Sequence, residues 1–513
     1  MIKRGRDDLH DYQSDLGIPF LRDNPRSMLM ADVGLGKAVM LGTNAVDQWD
    51  DLDSPQTLIT APVRVAKQTW PTEFEEWEHL HGFPITLVRA EDDTPEVAAV
   101  YRRKYEQFYV EAKRLHMTPR DAARFAQVFA SKYRDRAKQI WRRKQVMQQT
   151  PIHIIGIEQI PWLVQFWGRK WPYRNVNIDE SSKFKKYGTA RFRAINSVHK
   201  YIDRLHLATA SPAPEDIIDL FAQIFLLDRG KRLGRSITAF RREFFDYTPH
   251  RRVKHAGTYE LKPGAFEQIT ERVADICLPM RAEDYLSLEK PLLLDRVIEL
   301  DDETRALKDQ FERNFIMSLG EDEITIEAIN GASLTNKLQQ FASGAVYDEN
   351  RKVHSIHDEK IADLQQLVDE LQGSPILVVY WFQSSLDRLR KSFPQLVTMD
   401  KAGNRVKDWN DGKIAMLALN PGSAAHGLNM QYGPGRDIYF FDLPWSRELY
   451  EQTIGRLARQ GQRFIVRVWH ALVKDSMDEV VKAGLQSKGE GQSRLKEYIL
   501  NIRAKMRNAW KRS

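Results

Sequence analysis

The feature that most constrains the fold of this chain is a series of short apolar runs that alternate with helical patterns. In the first half of the sequence, helical patterns at 65–80, 97–148 and 187–200 separate runs of this kind. Strands that alternate with helices predict parallel βαβ units and therefore a doubly wound α/β domain. The runs are SMLMA, TLITAP, PIHIIGIEQI, VNID and RLHLATASP, which begin at positions 27, 57, 151, 176 and 204.

The same alternation returns in the second half, which predicts a second α/β domain in tandem with the first. Residues 231–350 lie between the two series and show mostly polar helix and loop patterns. Because this gap is long for a loop, we expect a helical insertion there. The later runs are PILVVYW (375–381), QLVTM (395–399), KIAMLAL (413–419), RDIYFFD (436–442) and FIVRVWHAL (464–472).

Composition narrows the class of protein. The 513 residues carry a formal charge of +7 and are 42% hydrophobic, which is ordinary for a globular protein and excludes general disorder. Cys277 is the only cysteine, so a disulfide framework and a Cys-rich metal site are excluded. The start MIKRGRDDLHDYQ has no apolar segment, and no stretch approaches the length of a membrane span. We expect a soluble, cytoplasmic protein that does not bind membranes.

Positive charge is concentrated in two segments. Residues 101–149 hold 14 Lys/Arg against 4 acidic residues, and residues 488–513 hold 8 against 2. Basic segments of this kind indicate a polyanionic partner, although solvated helix faces give the same pattern. The first segment also carries Phe125, Phe129 and Tyr133 at helical spacing. This spacing favours an aromatic stripe that faces a core over one that stacks on bases.

A glycine loop suggests a phosphate site. The sequence Gly34-Leu35-Gly36-Lys37 follows a predicted strand and opens a predicted helix. Glycines let backbone N–H groups turn toward phosphate, and the helix N-terminus and the lysine add positive charge. The alternative is a simple glycine turn before a helix. A strict P-loop has Ser or Thr next, to hold Mg²⁺, whereas this chain has Ala38.

Three later segments fit a nucleotide site. Asp179 and Glu180 end a predicted strand, where a carboxylate can hold Mg²⁺ and its neighbour can orient and deprotonate water. Thr209 and Ser211 also follow a strand. In the segment QTIGRLARQGQ, two arginines are spaced i, i+3, which predicts that they share one helix face and reach the γ-phosphate. Each segment has an alternative interpretation. The carboxylate pair can occur by chance, Thr209 and Ser211 can belong to a simple turn at the end of a strand, and the arginines can lie on a solvated basic helix.

Taken in order, these segments resemble the Swi/Snf-type ATPases of the superfamily-two helicases, in the compact form found in bacteriophages. The similarity runs through most of residues 9–485. The matching motifs are LHDYQSDLGIPFL, MADVGLGKAV (motif I), TLITAPVRVAKQTWPTEFEEW (Ia), VNIDESSKFKK (II), HLATASPAPEDIIDLFAQIFLLD (III), PILVVYWFQSSLDRL (IV), NPGSAAHGLNMQ (V) and DLPWSRELYEQTIGRLARQGQ (VI).

The resemblance implies two RecA-like domains with helical insertions, and ATP and Mg²⁺ in the cleft between them. It implies catalytic roles for Lys37, Asp179, Glu180, Arg456 and Arg459, with Asp179 as the Mg²⁺ ligand. The implied ATP-binding residues are Gln13, Gly34, Leu35, Gly36, Lys37, Ala38 and Gln452, and the implied coupling residues are Thr209 and Ser211. The implied DNA-phosphate contacts are Arg64, Lys67, Lys183, Lys185, Ser423, His426 and Asn429.

The resemblance also implies an organisation and a function. We expect a first RecA-like domain at 1–230 with a basic helical insertion at about 91–150, a helical linker at 231–350, a second RecA-like domain at 351–485 and a basic C-terminal helix at 486–513. The expected activity is ATP-driven movement on duplex or forked DNA in phage replication, recombination or protein displacement, with replication or recombination proteins as further partners.

Three other functions stay open. Because Ala38 lacks the hydroxyl that holds Mg²⁺, the chain fits a DNA-binding protein that responds to nucleotide but hydrolyses it slowly. It also fits the motor subunit of a restriction system, whose nuclease would have to be another chain. An RNA helicase is disfavoured because Ser181 and Ser182 follow Asp-Glu, where RNA families usually carry Ala-Asp or Ala-His.

Overall fold

The structure is a computed structural model. It describes residues 4–49, 55–89, 94–214, 216–249, 257–286, 289–318, 327–348, 350–400, 404–424 and 428–487, and only the backbone of helical residues 312–318, 327–334, 423 and 424. The predicted basic C-terminal helix at 486–513 therefore lies almost wholly outside the described residues, which end within a helix over 477–487.

Most strands of the protein belong to two large sheets. The first has seven strands in the order β3-β4-β2-β5-β6-β1-β9, and the second has six in the order β10-β17-β16-β13-β15-β14. The strands are β1 Arg26–Ala31, β2 Thr57–Ala61, β3 Ile85–Val88, β4 Ile152–Gly156, β5 Asn175–Asp179, β6 Arg204–Ala208, β7 Phe245–Pro249, β8 Gly257–Leu261, β9 Cys277–Met280, β10 Leu292–Ile298, β11 Ala345–Tyr347, β12 Val353–Ser355, β13 Ile376–Val379, β14 Val397–Thr398, β15 Met416–Leu419, β16 Asp437–Phe440 and β17 Arg467–Val473.

Helices follow most of these strands. None of the described helices is both long and apolar enough to cross a lipid bilayer. The helices are α1 Ile18–Asp23, α2 Lys37–Asp47, α3 Trp70–Glu76, α4 Pro95–Arg114, α5 Pro119–Val146, α6 Ile160–Trp167, α7 Ala190–Val198, α8 Asp219–Asp228, α9 Ile237–Phe244, α10 Ala265–Val273, α11 Ala282–Tyr285, α12 Asp302–Ser318, α13 Glu327–Ala342, α14 Glu359–Glu370, α15 Gln383–Ser392, α16 Arg405–Asn410, α17 Pro421–Ala424 and α18 Arg447–Ile454.

The strands of both large sheets run parallel in every described pairing. β2 is parallel to β4 and β5, and β1 is parallel to β9. In the second sheet β13 is parallel to β15 and β16, and β17 is parallel to β16 and β10. Two parallel α/β sheets in one chain are what the alternating pattern predicts. The predicted fold of tandem RecA-like α/β domains is confirmed.

Side chains of the second sheet alternate between two separate cores. Leu377 and Val379 of β13 pack in one cluster with Trp409 of α16 and Tyr450 of α18. Their neighbour Val378 packs in the other cluster, which includes side chains of α14 and α15. A parallel sheet with helices on both faces buries nearly every residue of its central strands, which explains the continuous apolar runs in the sequence.

By its own contacts the chain separates into two compact units. The first comprises Met1–Ser27, Lys37–Glu180 and Gly188–Ala208, and the second comprises Met28–Gly36, Ser181–Tyr187 and Thr209–Ser513. The predicted domain boundaries at 230, 350 and 485 stay a prediction.

Residues 231–350 differ from the prediction of helix and loop. They contain α9, α10 and α12, but they also supply β9 to the first sheet and β10 to the second. β7 and β8 form a separate antiparallel pair in the same region. The pattern of β9 is hard to recognise because it is only four residues long and contains Pro279, which disfavours a strand when context is ignored.

The predicted helical insertion near 91–150 is a pair of helices, α4 and α5, between β3 and β4. Phe108 of α4 contacts Phe125, Phe129 and Tyr133 of α5, with ring centroids 6.3, 5.5 and 5.8 Å apart. The stripe thus faces α4 through half-buried Phe125 and Phe129, as predicted, while Tyr133 stays 39% exposed.

Candidate nucleotide site

The glycine loop joins β1 to α2 as predicted. Gly34 has a φ of 92° and Gly36 one of 74°, a left-handed conformation that side chains other than glycine rarely adopt. The Asp32 carboxylate accepts a hydrogen bond from the backbone N–H of Ala282 at 3.0 Å, which fixes the start of the loop. Lys37 is the first residue of α2. The loop thus has the shape and the cation that a phosphate group requires.

Asp179 ends β5 and is buried, with 8% of its surface exposed. Its carboxylate accepts a hydrogen bond from the indole Nε1–H of Trp70 at 3.1 Å. Burial and, to a smaller extent, the charge of Glu180 raise the pKa of Asp179 to about 6, and the charge of Lys37 opposes this rise. Lys37 therefore lies within electrostatic range of the Asp179 carboxylate.

Asp179 and Glu180 also fit the chemistry of a magnesium site. Mg²⁺ takes one or two protein carboxylates together with waters and substrate phosphates. Among the described residues no cluster of three or more Asp, Glu, His or Cys side chains forms a complete metal cage, and such a cage is not what Mg²⁺ with ATP requires. Glu180 has a φ of 62°, so the backbone turns sharply at the second carboxylate.

The segment after β6 is tied to β1 and to the residues after Glu180. The N–H of Thr209 donates to the carbonyl of Leu29 at 3.1 Å, and its hydroxyl accepts from the N–H of Ser211 at the same distance. Buried Gln223 accepts from the Ser181 hydroxyl at 2.8 Å and donates to the Pro212 carbonyl at 2.6 Å. Gln223 therefore connects the segments that follow β5 and β6.

One of the two predicted arginines, Arg459, lies beside the glycine loop. A Cβ placed on Gly34 would be 3.6 Å from the Cβ of Arg459, and one placed on Gly455 would be 3.0 Å from Val33. The guanidinium of buried Arg456 donates to the Leu428 carbonyl at 3.4 Å, and that of Arg459 donates to the side chain of Asn429 at 2.7 Å. The turn at 455–459 thus packs against the loop that would hold phosphate.

The prediction that Arg456 and Arg459 share one helix face is wrong. α18 ends at Ile454, with Gly455 as its C-cap, and both arginines lie in the turn that follows. The N–H of Arg459 bonds to the Leu457 carbonyl, not to a carbonyl four residues earlier. The i, i+3 spacing therefore reflects a compact turn.

A cavity of about 830 Å³ opens beside this contact. Asp32 and Val33 of the glycine loop line it together with Arg459 and Gln462 of the arginine segment. Its volume lies within the range of small-molecule sites in proteins.

Comparison with known proteins connects this site to a family. Putative protein p41 of Acyrthosiphon pisum secondary endosymbiont phage 1 is 32% identical over 498 residues, which cover 94% of this chain and 96% of that protein. The uncharacterized ATP-dependent helicase YqhH of Bacillus subtilis is 24% identical over 343 residues, or 60% of this chain and 57% of YqhH. The DNA repair protein RAD5 of Saccharomyces cerevisiae is 28% identical over 138 residues, or 23% of this chain and 12% of RAD5. The chain belongs to the Swi/Snf-type ATPases of helicase superfamily two.

Two further comparisons add little to this assignment. No family model matches the chain. The Sulfolobus solfataricus SWI2/SNF2 ATPase core in complex with dsDNA is 15% identical, with a TM-score of 0.39 over 96% of this chain and 92% of that one.

In this Swi/Snf-type ATPase a buried carboxylate organises the helix before the arginine turn. Glu448 of α18 accepts from Lys183 at 2.8 Å, and from Ser182 and Gln452 at 3.3 Å each. The predicted ATP-binding residue Gln452 is thus positioned by Glu448. Gln13, the other predicted glutamine, is buried in a π-helical turn and accepts from the N–H of His10 at 3.1 Å.

Of the residues predicted to contact DNA, three form polar contacts within the protein and two lie at a helical turn. Lys183 forms its ion pair with Glu448, and Lys185 lies 3.7 Å from the Asp219 carboxylate. Arg64 and Lys67 lie at the π-helical turn Val65–Thr69, before α3. Their contact with DNA stays a prediction. Asn429 is exposed apart from its bond to Arg459, the backbone of Ser423 lies in α17, and His426 is outside the described residues.

Three polar residues of the site could not be found from motif spacing. Trp70, Gln223 and Glu448 each contact a motif residue, at sequence separations of 109, 42 and 265 residues. All three lie inside the motif segments given above, but those motifs give no reason to select them. Only the folded arrangement brings each one to its partner.

Proposed function

We propose that this protein is an ATP-driven motor that moves along DNA, mainly duplex DNA, without a need to separate the strands. The packing of Arg459 beside the glycine loop carries this proposal, because its Cβ is 3.6 Å from the position of a Cβ on Gly34 and its side chain therefore begins next to the proposed site for phosphate. An arginine in that position stabilises the charge of phosphoryl transfer and is worth on the order of 10³–10⁵ in rate.

In this mechanism the backbone N–H groups of the glycine loop and Lys37 bind the β- and γ-phosphates. Bound Mg²⁺ would supply further positive charge toward these phosphates, and Asp179 is the residue that would hold it. Glu180 orients the attacking water and accepts its proton. Arg456 and Arg459 neutralise charge on the γ-phosphate as the bond to it breaks.

The hydrogen bonds of the segment after β6 support a coupling role for Thr209 and Ser211. Thr209 is bonded to β1, which leads into the glycine loop, and Pro212 is bonded to Gln223. Gln223 in turn holds Ser181, next to the catalytic Glu180. A change at the phosphate site therefore reaches the loop that precedes the candidate DNA contacts Lys183 and Lys185.

The likeness to a phage protein supports a role in phage DNA replication, recombination or protein displacement in the host cytoplasm. The names of two other relatives, a DNA repair protein and an ATP-dependent helicase, support DNA as the partner.

A second function is favoured by one observation. Ala38, in the first turn of α2, has no hydroxyl to complete the coordination of Mg²⁺. In this alternative the protein binds nucleotide and DNA but hydrolyses ATP too slowly to act as a motor.

Phosphate release separates the two functions. It is measured without nucleic acid and with single-stranded, duplex and forked DNA, alongside binding of a fluorescent ATP analogue. The motor is expected to release phosphate faster on duplex or forked DNA, and Arg459→Ala is expected to lower that rate on the order of 10³-fold. Arg405→Ala, at an exposed arginine of α16, is the matched control and is expected to leave the rate unchanged.

Nucleotide binding without DNA-stimulated release would favour the alternative. An Arg459→Ala variant as fast as the wild type would refute the proposed role of the arginine turn.

A further inference from the structure

The insertion formed by α4 and α5 carries a large positive charge that the nucleotide site does not use. Residues 101–149 hold 14 Lys/Arg and 4 acidic residues. The two helices pack on each other through small and aromatic side chains. Ala112 of α4 and Ala122, Ala126 and Ala130 of α5 are fully buried.

Most of the basic side chains point away from this contact. Ten of the 14 are exposed, and within the part of the chain that the structure describes none of the ten forms an ion pair with a carboxylate. They are Arg102, Arg103, Lys113, Arg114, Arg120, Arg124, Lys132, Arg136, Arg143 and Lys144.

Five of these side chains lie on a row that winds around α5, because each step of four residues turns the helix by about 40° beyond one full turn. Every fourth position from 120 to 144 is exposed, and five of the seven residues in the row are basic. Positions four apart are neighbours on a helix surface and rise by about 6 Å per step. Repulsion along such a row is relieved when it lies on a polyanion. The row comprises Arg120, Arg124, Val128, Lys132, Arg136, Ile140 and Lys144.

Most aromatic residues of the hairpin that α4 and α5 form are half-buried in its own packing, and Tyr133 is 39% exposed. Phe108 contacts Phe125, Phe129 and Tyr133, and Lys104 lies over the ring of Tyr133 at 4.6 Å. Proteins that bind single strands stack bases on available aromatic rings. A surface rich in exposed cations, with most of its aromatic rings packed within the hairpin, is instead suited to the phosphates of a duplex.

We propose that the α5 row binds the phosphate backbone of duplex DNA without reading its sequence, as a contact separate from the motif residues. The proposal rests on the proposed function, since it assigns a second contact on the same partner. A contact of this kind would hold the motor on DNA through the part of the ATP cycle in which the motif residues release it.

The test compares full-length wild type with the variant Arg120→Gln/Arg124→Gln/Arg136→Gln. The matched control is Lys231→Gln/Lys352→Gln/Lys391→Gln, three exposed lysines that form no ion pair among the described residues. Binding to a duplex of random sequence is measured by fluorescence anisotropy between about 50 and 200 mM salt, because each phosphate contact contributes about 0.9 to the slope of log K against log[salt]. Thermal unfolding of all three proteins confirms that they are folded.

The slope of the α5 variant is expected to be smaller in magnitude by about 2.7, because three phosphate contacts are removed. When the salt concentration falls fourfold, the affinity of the wild type is therefore expected to rise about 40-fold more than that of the variant. The control is expected to keep the wild-type slope. ATP turnover without DNA is expected to be equal in all three proteins.

An unchanged slope in the α5 variant, with a wild type that binds duplex, would overturn this proposal and leave the proposed function intact. Loss of binding to vesicles of anionic lipid, with an unchanged duplex slope, would also overturn it. A wild type that binds no DNA would instead refute the proposed function.

Discussion

Replacing Asp179 with Asn is expected to stabilise the protein while it abolishes ATP turnover. Burial, followed by the charge of Glu180, raises the pKa of Asp179 from its ordinary 3.8 to about 6. The folded protein therefore binds this proton more tightly than the unfolded chain does. The free energy of unfolding therefore falls as pH rises from about 4 to about 6. Above pH 6 the whole destabilisation by the buried, ionised Asp179 is present.

The magnitude follows from the two pKa values. A difference of about two pH units corresponds to about 3 kcal/mol, because each unit is worth about 1.4 kcal/mol. Asn carries no charge, and its carbonyl can still accept the hydrogen bond from Trp70. We therefore expect Asp179→Asn to be more stable by about 3 kcal/mol at pH 8, by about half of that at pH 5, and by about 0.5 kcal/mol at pH 4.

Calorimetric unfolding checks this prediction. In a unit of this size, about 3 kcal/mol corresponds to a rise in Tm of about 6–12 °C at pH 8. The matched control is Asp442→Asn, because Asp442 is also buried but accepts hydrogen bonds from the Ser343 hydroxyl and from the N–H groups of Trp381 and Phe382. That variant is expected to lose about 1–3 kcal/mol, because an amide cannot accept all three bonds.

If Asp179→Asn is no more stable than the wild type at pH 8, or if its advantage does not shrink toward pH 4, the reasoning is wrong. The ionised Asp179 carboxylate would then not destabilise the folded protein in the absence of nucleotide.

Ala38→Thr is expected to raise steady-state ATP turnover about tenfold, equivalent to about 1.4 kcal/mol, by restoring a hydroxyl near Mg²⁺; an unchanged rate would show that Ala38 is not limiting. Gly34→Ala is expected to weaken binding of a fluorescent nucleotide about 10- to 100-fold, since φ is 92° and strain there costs about 1–3 kcal/mol. Gly82→Ala, with φ of 78° and open space around it, is the control for strain alone. Phe129→Ala is expected to destabilise the α4–α5 hairpin by about 1–3 kcal/mol, seen as faster amide hydrogen exchange in α5.

Local patterns were sufficient to predict the two α/β sheets and much of the nucleotide site. The apolar runs are continuous because parallel strands are buried on both faces, and the loop before Lys37 is marked by glycines that the backbone conformation requires. Asp179 ends a strand as predicted, because the motif lies within one local element.

Contacts between distant segments could not be predicted in the same way. β10 is an edge strand whose exposed Leu293 and Val297 give no alternating pattern, so its place beside β17 depends on the folded sheet. The helix expected to carry Arg456 and Arg459 ends early because Gly455 stops it and the turn packs on Val33. Spacing alone does not distinguish such a turn from a helix.

The position of β9 has a consequence for synthesis of the chain. β1, which leads into the glycine loop, pairs with β9, whose residues are made about 250 positions later. Until the ribosome has released Cys277–Met280, one edge of β1 has no strand to bond, and an unpaired parallel edge attracts other chains. A nascent fragment that stops near residue 230 is therefore expected to aggregate, and ATP binding should emerge only after more than half of the protein has been translated.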